Sequence, residues 1–257
     1  MEQKTKARDF AALHIKGRPV ILYNIWDAGT ARAVAEGGAK ALATGSWSVA
    51  AAQGYADGEK LPLAALIATV TAIVAAIELP LSVDFEGAYA EDPDEAAANV
   101  ARVIDAGGIG INFEDQIVGG SGLYPAARQA KRIAAIRAMA DARGLPLFIN
   151  ARTDLFLKES EPANHGALLP DAIERGKAYA AAGASGFFVP GLIDPISIET
   201  LCRETSLPVN IMMKPGAPDL KTLATLGVGR ISYGPGPYRA MIATLTREAE
   251  AIYATAR

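Results

Sequence analysis

The feature that most restricts the fold of this chain is an eightfold alternation. Short, continuously apolar runs at residues 20–25, 39–44, 81–85, 109–113, 147–151, 186–189, 209–212 and 230–233 each precede a longer, alanine-rich segment of helical character. The runs do not alternate apolar with polar residues, so each reads as a strand covered on both faces, and strands of that kind are parallel. Several follow Pro or Gly (Pro19, Pro80, Gly108, Pro146, Pro208, Gly229), as expected where a helix has just ended. Eight β/α units without a linker predict one α/β domain over residues 1–257, a closed (β/α)8 TIM barrel with a helix before it and a helical segment after it. The competing doubly wound open sheet carries a glycine-rich phosphate turn after its first strand. Here that turn reads IWDAGTAR, without GxGxxG.

Composition bounds what such a barrel can do. The 257 residues are 51% apolar, enough for a sizeable core, and Lys+Arg 25 against Asp+Glu 28 leaves a net charge of −3. No basic stripe stands out, which argues against a nucleic-acid partner. The single cysteine, Cys202, cannot form an intrachain disulfide and reads as a buried structural thiol on an outer helix, so the expected compartment is the cytoplasm. The opening MEQKTKARDFAALHIKG, with His14 on its helix, is charged and lacks the apolar core of a signal peptide. The longest apolar stretch, residues 61–77, contains Pro62 and falls short of a membrane span. It reads as a buried helix, and no membrane association is expected.

In a (β/α)8 barrel the chemistry sits at the C-terminal ends of the strands. There the second strand brings Gly45, Ser46 and Trp47, the third Asp84 and Glu86, the fourth Glu114, and the fifth Arg152 and Asp154, while the seventh passes through Asn210. Asp84 and Glu86, two apart, share one face of an extended strand, and Glu114 joins them from the next strand. Carboxylates that converge repel one another unless a cation or shared protons intervene. A lone acid is more ordinarily a cap or a surface group, but three acids and an arginine on consecutive strand ends favour a metal. Oxygen ligands without a His or Cys cluster point to Mg2+ or Mn2+ rather than zinc, with some carboxylates acting through water.

Arg152 offers a planar fork for a carboxylate or phosphoryl group, although an ion pair with Glu114 or Asp154 would satisfy it too. Ser46 precedes a predicted helix at 48–53, so amides near it can hold an anion; a plain N-cap accounts for it equally well. Trp47 either lines the pocket or packs on the rim. Asp57 lies in GYADGEKLPL, where Asp-Gly is ordinary turn chemistry. Two long connections, 115–125 and 157–170, have the length of lids, and Gly119, Gly120 and Gly122 give the first of them mobility. His165, in the second, reads as a solvated loop histidine, with a proton-donating lid residue as the rarer alternative.

YNIWDAGTAR, ALATGSWSVAAAQGYADGE, LSVDFEGAY, INFEDQ, INARTD and GVGRISYG, in this order, make nearly the whole chain resemble the isocitrate lyase/phosphoenolpyruvate mutase superfamily. Within it the chain looks most like the bacterial carboxyvinyl-carboxyphosphonate phosphorylmutase-like members. The resemblance implies a barrel whose last helix is exchanged between subunits, in a homodimer or homotetramer. It implies Asp84 as the direct Mg2+ ligand, with Asp57, Glu86 and Glu114 holding the ion through water. Ser46 and its flanking residues Gly45 and Trp47, with Asn210, would bind the substrate; Arg152 would contact its other end and act in catalysis with Asp57 and Glu114.

Such proteins make or break a C–C or P–C bond beside a 2-oxo acid through an enolate-like intermediate. The expected function is a Mg2+-dependent lyase cleaving a C–C bond in a small 2-oxo or 2-hydroxy carboxylic acid, by retro-aldol or Claisen-type cleavage or by decarboxylation. A P–C bond enzyme, a phosphonopyruvate hydrolase or mutase, is the alternative, and a non-catalytic 2-oxo acid binder is a third. One stretch departs from the superfamily pattern. Where isocitrate lyases carry a cysteine in a KKCGH-like motif and phosphonomutases a lysine-rich gating loop, this chain reads DQIVGGSGLYP, in which, beyond Asp115, only Ser121 and Tyr124 could donate a proton.

Overall fold

In a computed structural model, which describes residues 2–255, eight parallel strands form one sheet: β1 (Val20–Leu22), β2 (Leu42–Ala43), β3 (Leu81–Asp84), β4 (Gly110–Glu114), β5 (Phe148–Arg152), β6 (Gly186–Phe188), β7 (Val209–Met212) and β8 (Arg230–Ser232). They pair in the order β1-β8-β7-β6-β5-β4-β3-β2. The remaining seam is bridged where the Ile25 amide donates to Ala43 O at 2.9 Å and the Gly45 amide to Ile25 O at 3.3 Å. The sheet is therefore a nearly closed (β/α)8 barrel, with every predicted strand present and most of them a residue or more shorter than the apolar run.

Helix α1 (Gln3–Ala12) closes the N-terminal end of the barrel, where Phe10 and His14 lie 5.2 and 4.0 Å from the Phe148 ring. Around the sheet run α2 (Ala28–Glu36), α3 (Ser46–Ala52), α4 (Leu63–Ala76), α5 (Pro93–Asp105), α6 (Ala126–Ala142), α7 (Leu155–Lys158), α8 (His165–Ala181), α9 (Pro195–Glu204), α10 (Leu220–Thr225) and α11 (Gly236–Thr255). Asp27, Asp92, Asp194 and Asp219 cap α2, α5, α9 and α10, their carboxylates accepting from first-turn amides. A cap of this kind stabilises a helix by about 1 kcal/mol. Cys202 is buried in α9, as expected.

Three local expectations change. The apolar segment 61–77 is not buried all round: α4 buries Leu66, Val70 and Ile73, one stripe, because an outer-layer helix has a single side against the sheet. The predicted loop 157–170 contains the start of α8, which runs through Pro170. Proline ordinarily marks a helix boundary, and the sequence predicts one there. His165 is accordingly not a solvated loop residue. It opens α8, is 2% exposed, packs edge-on to Phe156 and bonds Glu159 O at 3.1 Å.

Register builds a polar layer inside the barrel. Asn112 stands opposite Asn150, and Asn210 opposite Arg230. The Asn150 amide donates to Asn112 Oδ1 and Asn210 Oδ1 at 2.9 and 3.0 Å, and Arg230 Nη2 donates to Asn112 Oδ1 at 3.1 Å. Gly186 leaves room for this layer, since a Cβ there would stand 2.7 Å from Asn150 Oδ1. Burial pushes the Arg230 guanidinium down to about 9, with the Asp84 carboxylate opposing that fall.

One outer face is bare. Ile21 and Tyr23 of the first strand segment open onto an apolar groove of about 870 Å3, also lined by Leu13, Ile15, Pro19 and Val34. Helix α11 buries only Pro237 and leaves Leu245, Ile252 and Tyr253 exposed. Among the described residues no helix is long and apolar enough to cross a membrane.

Candidate active site

Two adjoining hollows of about 410 and 220 Å3 open at the C-terminal ends of the strands and share Ser46, Asp57, Arg152 and Leu157. The first is also lined by Glu86, Glu114, Gln116, Asp154 and Lys158. The second adds Asn24, Gly45, Trp47, Asp84, Asn112 and Ser232, with an apolar side of Phe188, Pro190 and Met212. The larger apolar groove beside β1 has no carboxylate in its lining, so the chemistry belongs to the strand ends.

Asp84 closes β3. Its Oδ2 accepts the Ser46 amide at 2.9 Å, its Oδ1 accepts the Asn112 amide at 3.3 Å, and its own amide donates to Thr44 Oγ1 at 2.8 Å. Glu86 joins it by a route the strand periodicity does not describe. The strand ends at Asp84, and Glu86 sits in the left-handed region at φ 49°, as do Ala88 at 64° and Tyr89 at 55°. Three such non-glycine residues in one turn are held against a cost of order 1 kcal/mol each.

The restraints on this turn come from residues the sequence reading passed over. The Glu59 amide donates to Glu86 Oε2 at 2.9 Å, and the Glu59 carboxylate accepts from the Tyr89 amide at 2.7 Å. Arg132, 1% exposed in α6, donates through Nη2 to Gly87 O and Ala90 O, both at 2.6 Å. Its Nη1 reaches Gln129 Oε1 at 2.7 Å, and the Gln129 amide holds Glu114 O at 2.9 Å.

The β4–β5 register sets Glu114 opposite Arg152, and Glu114 Oε2 accepts from Arg152 Nη1 at 2.9 Å. Arg152 Nε and Nη2 grip both oxygens of Asp154 at 2.6 and 3.0 Å, so the guanidinium meets both carboxylates considered from sequence. Burial works against its charge, but Glu114, Asp154 and Asp84 together outweigh burial and hold its proton more tightly than usual. Asp57 faces the Ser46 hydroxyl and the Gly58 amide.

Asp57, Glu86 and Glu114 share one electrostatic signature. Burial, then the charges of Asp57 and Asp84, push Glu86 up to about 8. Asp57 is raised by burial and by Asp84, and Glu114 is raised by burial although Arg152 opposes it. Such a set retains protons unless positive charge is added, and hard oxygen donors suit a hard divalent cation. Among the described residues no group of three or more His, Cys, Asp or Glu side chains is placed to hold an ion by direct ligation.

Other expected residues fall as follows. Gly45, not Ser46, is the N-cap of α3, and the Ser46 amide is already spent on Asp84. Trp47 both lines the pocket and packs on Tyr238 at 5.7 Å, beneath the Arg239 guanidinium at 4.7 Å. Asn210 is wholly buried below the floor and lines neither hollow; it meets the pocket through Ser232 Oγ, at 3.2 Å from its amide, and by way of Asn150 through Asn112. In the 115–125 connection, Tyr124 turns inward over Arg132 at 4.7 Å, and neither it nor Ser121 lines either hollow.

Known proteins resemble the chain over nearly its whole length. The family profile described as phosphoenolpyruvate phosphomutase matches residues 10–253. A crystal structure of a provisionally named phosphonomutase from Burkholderia cenocepacia superposes with a TM-score of 0.94 at 45% identity, covering 97% of this chain and 99% of that one. An uncharacterized protein of Mycobacterium tuberculosis is 35% identical over 243 residues, 95% of this chain and 88% of its own. A probable 2-methylisocitrate lyase of Corynebacterium glutamicum is 30% identical over 186 residues, 70% of this chain and 57% of its own.

Proposed function

Because the chain belongs to the phosphoenolpyruvate phosphomutase family and is an enzyme of that lyase and mutase type, we propose that it is a Mg2+-dependent lyase. It cleaves a C–C bond next to the 2-oxo or 2-hydroxy group of a small carboxylic acid through an enolate-like intermediate. The observation that carries this reading is the convergence of Asp57, Asp84, Glu86 and Glu114 on two adjoining hollows that share Asp57 and Arg152.

Asp84 would hold Mg2+ directly, with Asp57, Glu86 and Glu114 acting through water. When bound, the ion supplies positive charge opposite the substrate oxygen that becomes negative as the bond breaks. The Ser46 hydroxyl and the first-turn amides of Trp47 and Ser48, which have no intrahelical acceptor, bind the substrate carboxylate. Arg152 has five N–H donors, and its bonds to Glu114 and Asp154 use three. The remaining donors face the other end of the substrate. Leu157, Phe188, Pro190 and Met212 keep water from that end, so the enolate is not protonated early.

Turnover of a panel of small 2-oxo and 2-hydroxy acids tests the reading. The purified protein with Mg2+ should release pyruvate, glyoxylate or CO2 from a member of the panel, and EDTA should stop it. Phosphate release from phosphonopyruvate instead would replace C–C with P–C chemistry, and tight binding without turnover would leave a binding protein.

The reading extends to assembly and compartment. We propose that α11 is exchanged with a second copy, its exposed Leu245, Ile252 and Tyr253 covering apolar surface of the partner, in a dimer or tetramer. Light scattering should give a multiple of the 26.7 kDa chain mass; a monomer at micromolar concentration would contradict it. A reducing cytoplasm suits Cys202, whose thiol burial pushes up to about 12.

A further inference from the structure

Charge bookkeeping around the pocket leaves one cation unused. Arg152 is committed to Glu114 and Asp154, and Arg230 lies beneath the floor, bonded to Asn112. The connection 115–125 contributes no basic side chain at all. Lys158, the last residue of α7, lines the 410 Å3 hollow together with Ser46, Asp57, Glu86, Glu114 and Arg152. Among the described residues no carboxylate pairs with its ammonium group. Its amide donates to Asp154 O at 3.0 Å, so the residue is tied to the same turn that orients Arg152.

We propose that Lys158 is the specificity-determining cation of this site, binding a second anionic group of the substrate at the mouth of the pocket. The inference rests on the 2-oxo acid reading of the site. A substrate whose carboxylate is bound near Ser46 extends toward Glu114, Asp154 and the pocket mouth. A second negative group there meets Arg152, whose charge is already shared with Glu114 and Asp154, and Lys158, the cation lining this hollow that has no carboxylate partner among the described residues. An ammonium on a flexible stem, with three donors and no fixed fork, suits either a carboxylate or a phosphonate, which share the chemistry of a compact oxyanion. The β5 connection thereby supplies a cation that the β4 connection lacks.

The test compares affinities in the presence of Mg2+ for monoanionic probes (pyruvate, 2-oxobutyrate) and dianionic ones (oxaloacetate, phosphonopyruvate). The proteins are wild type, Lys158→Met, Lys158→Arg and, as a control for general surface charge, Lys177→Met. Wild type should bind the better dianion about tenfold more tightly than the monoanions, and whichever dianion shows the larger preference identifies the second group as carboxylate or phosphonate. Lys158→Met should lose that preference while keeping monoanion affinity, Lys158→Arg should keep part of it, and Lys177→Met should keep it all. A wild type without the preference, or a Lys158→Met variant that retains it, overturns the role of Lys158 alone. A wild type that binds none of these acids overturns the reading of the site, and the role of Lys158 falls with it.

Discussion

Asp84→Asn should weaken Mg2+ binding about 100-fold or more while the barrel stays folded. Loss of an outer partner of a metal ligand already costs about 10- to 100-fold in affinity, so loss of a direct carboxylate ligand should cost at least as much. The substitution keeps the shape of the side chain, which separates the loss of charge from the loss of packing. It does not keep every hydrogen bond. Asp84 accepts from the Ser46 amide and from the Asn112 side chain, and Asn112 Oδ1 is itself held by Asn150 and Arg230. Asn112 therefore cannot turn its carbonyl toward an amide at position 84. The new NH2 group will face the longer, 3.3 Å contact, at a cost of about 1–2 kcal/mol in stability. Calorimetric Mg2+ titration reads the first effect and thermal unfolding the second. Unchanged Mg2+ affinity in a folded Asp84→Asn variant would move the metal elsewhere.

Arg132→Met carries the second large effect, this time on the fold around the site. Methionine fills much of the same volume and removes a buried charge, which by itself favours the variant. Against that, Gly87 O, Ala90 O and Gln129 Oε1 lose their donor, and the contacts of the guanidinium with the Phe113 and Tyr124 rings go as well. The carbonyls belong to the turn in which Glu86, Ala88 and Tyr89 hold positive φ, so the strain there loses its main restraint. The net loss should be about 2–4 kcal/mol, within the range for a buried polar network that is opened. Denaturant unfolding measures it, and a loss under about 0.5 kcal/mol would show that the turn is held by Glu59 and Tyr89 without help from α6.

The barrel was legible because its strands are apolar throughout and several of them open just after Pro or Gly, two signals written in local residue type. Both survive in the structure at the scale of whole elements, while exact ends do not, since the ladder bonds depend on neighbours across the sheet. Where local rules were read too literally they misled. Pro170 suggested a boundary, yet α8 passes through it and buries His165. The acids of the site were legible one by one, but their convergence was argued from strand alternation, whereas Glu86 arrives through a left-handed turn.

What stayed hidden were the residues that act across long sequence separations. Glu59 holds Glu86 from 27 positions away, and Arg132 reaches Gly87 across 45. Arg230 reaches Asn112 across 118 positions. None lies in a motif whose chemistry declares the contact, and only the register and packing of the barrel bring them together. Lys158 was in plain view in the 157–170 connection, but nothing in its neighbours distinguishes it from a solvated lysine.

We propose that the acids at the ends of β3 and β4, with Asp57 from the connection after α3, make a Mg2+-dependent site for breaking a C–C bond beside a 2-oxo or 2-hydroxy acid. Product release from the acid panel by wild type and Asp84→Asn, side by side with and without EDTA, tests it most directly. Wild type should release pyruvate, glyoxylate or CO2 only when Mg2+ is present, and Asp84→Asn should release at least about 1,000-fold less, the scale of losing one major source of charge stabilisation. Turnover that survives both EDTA and the loss of the Asp84 carboxylate would show that neither Mg2+ nor Asp84 takes part in the reaction.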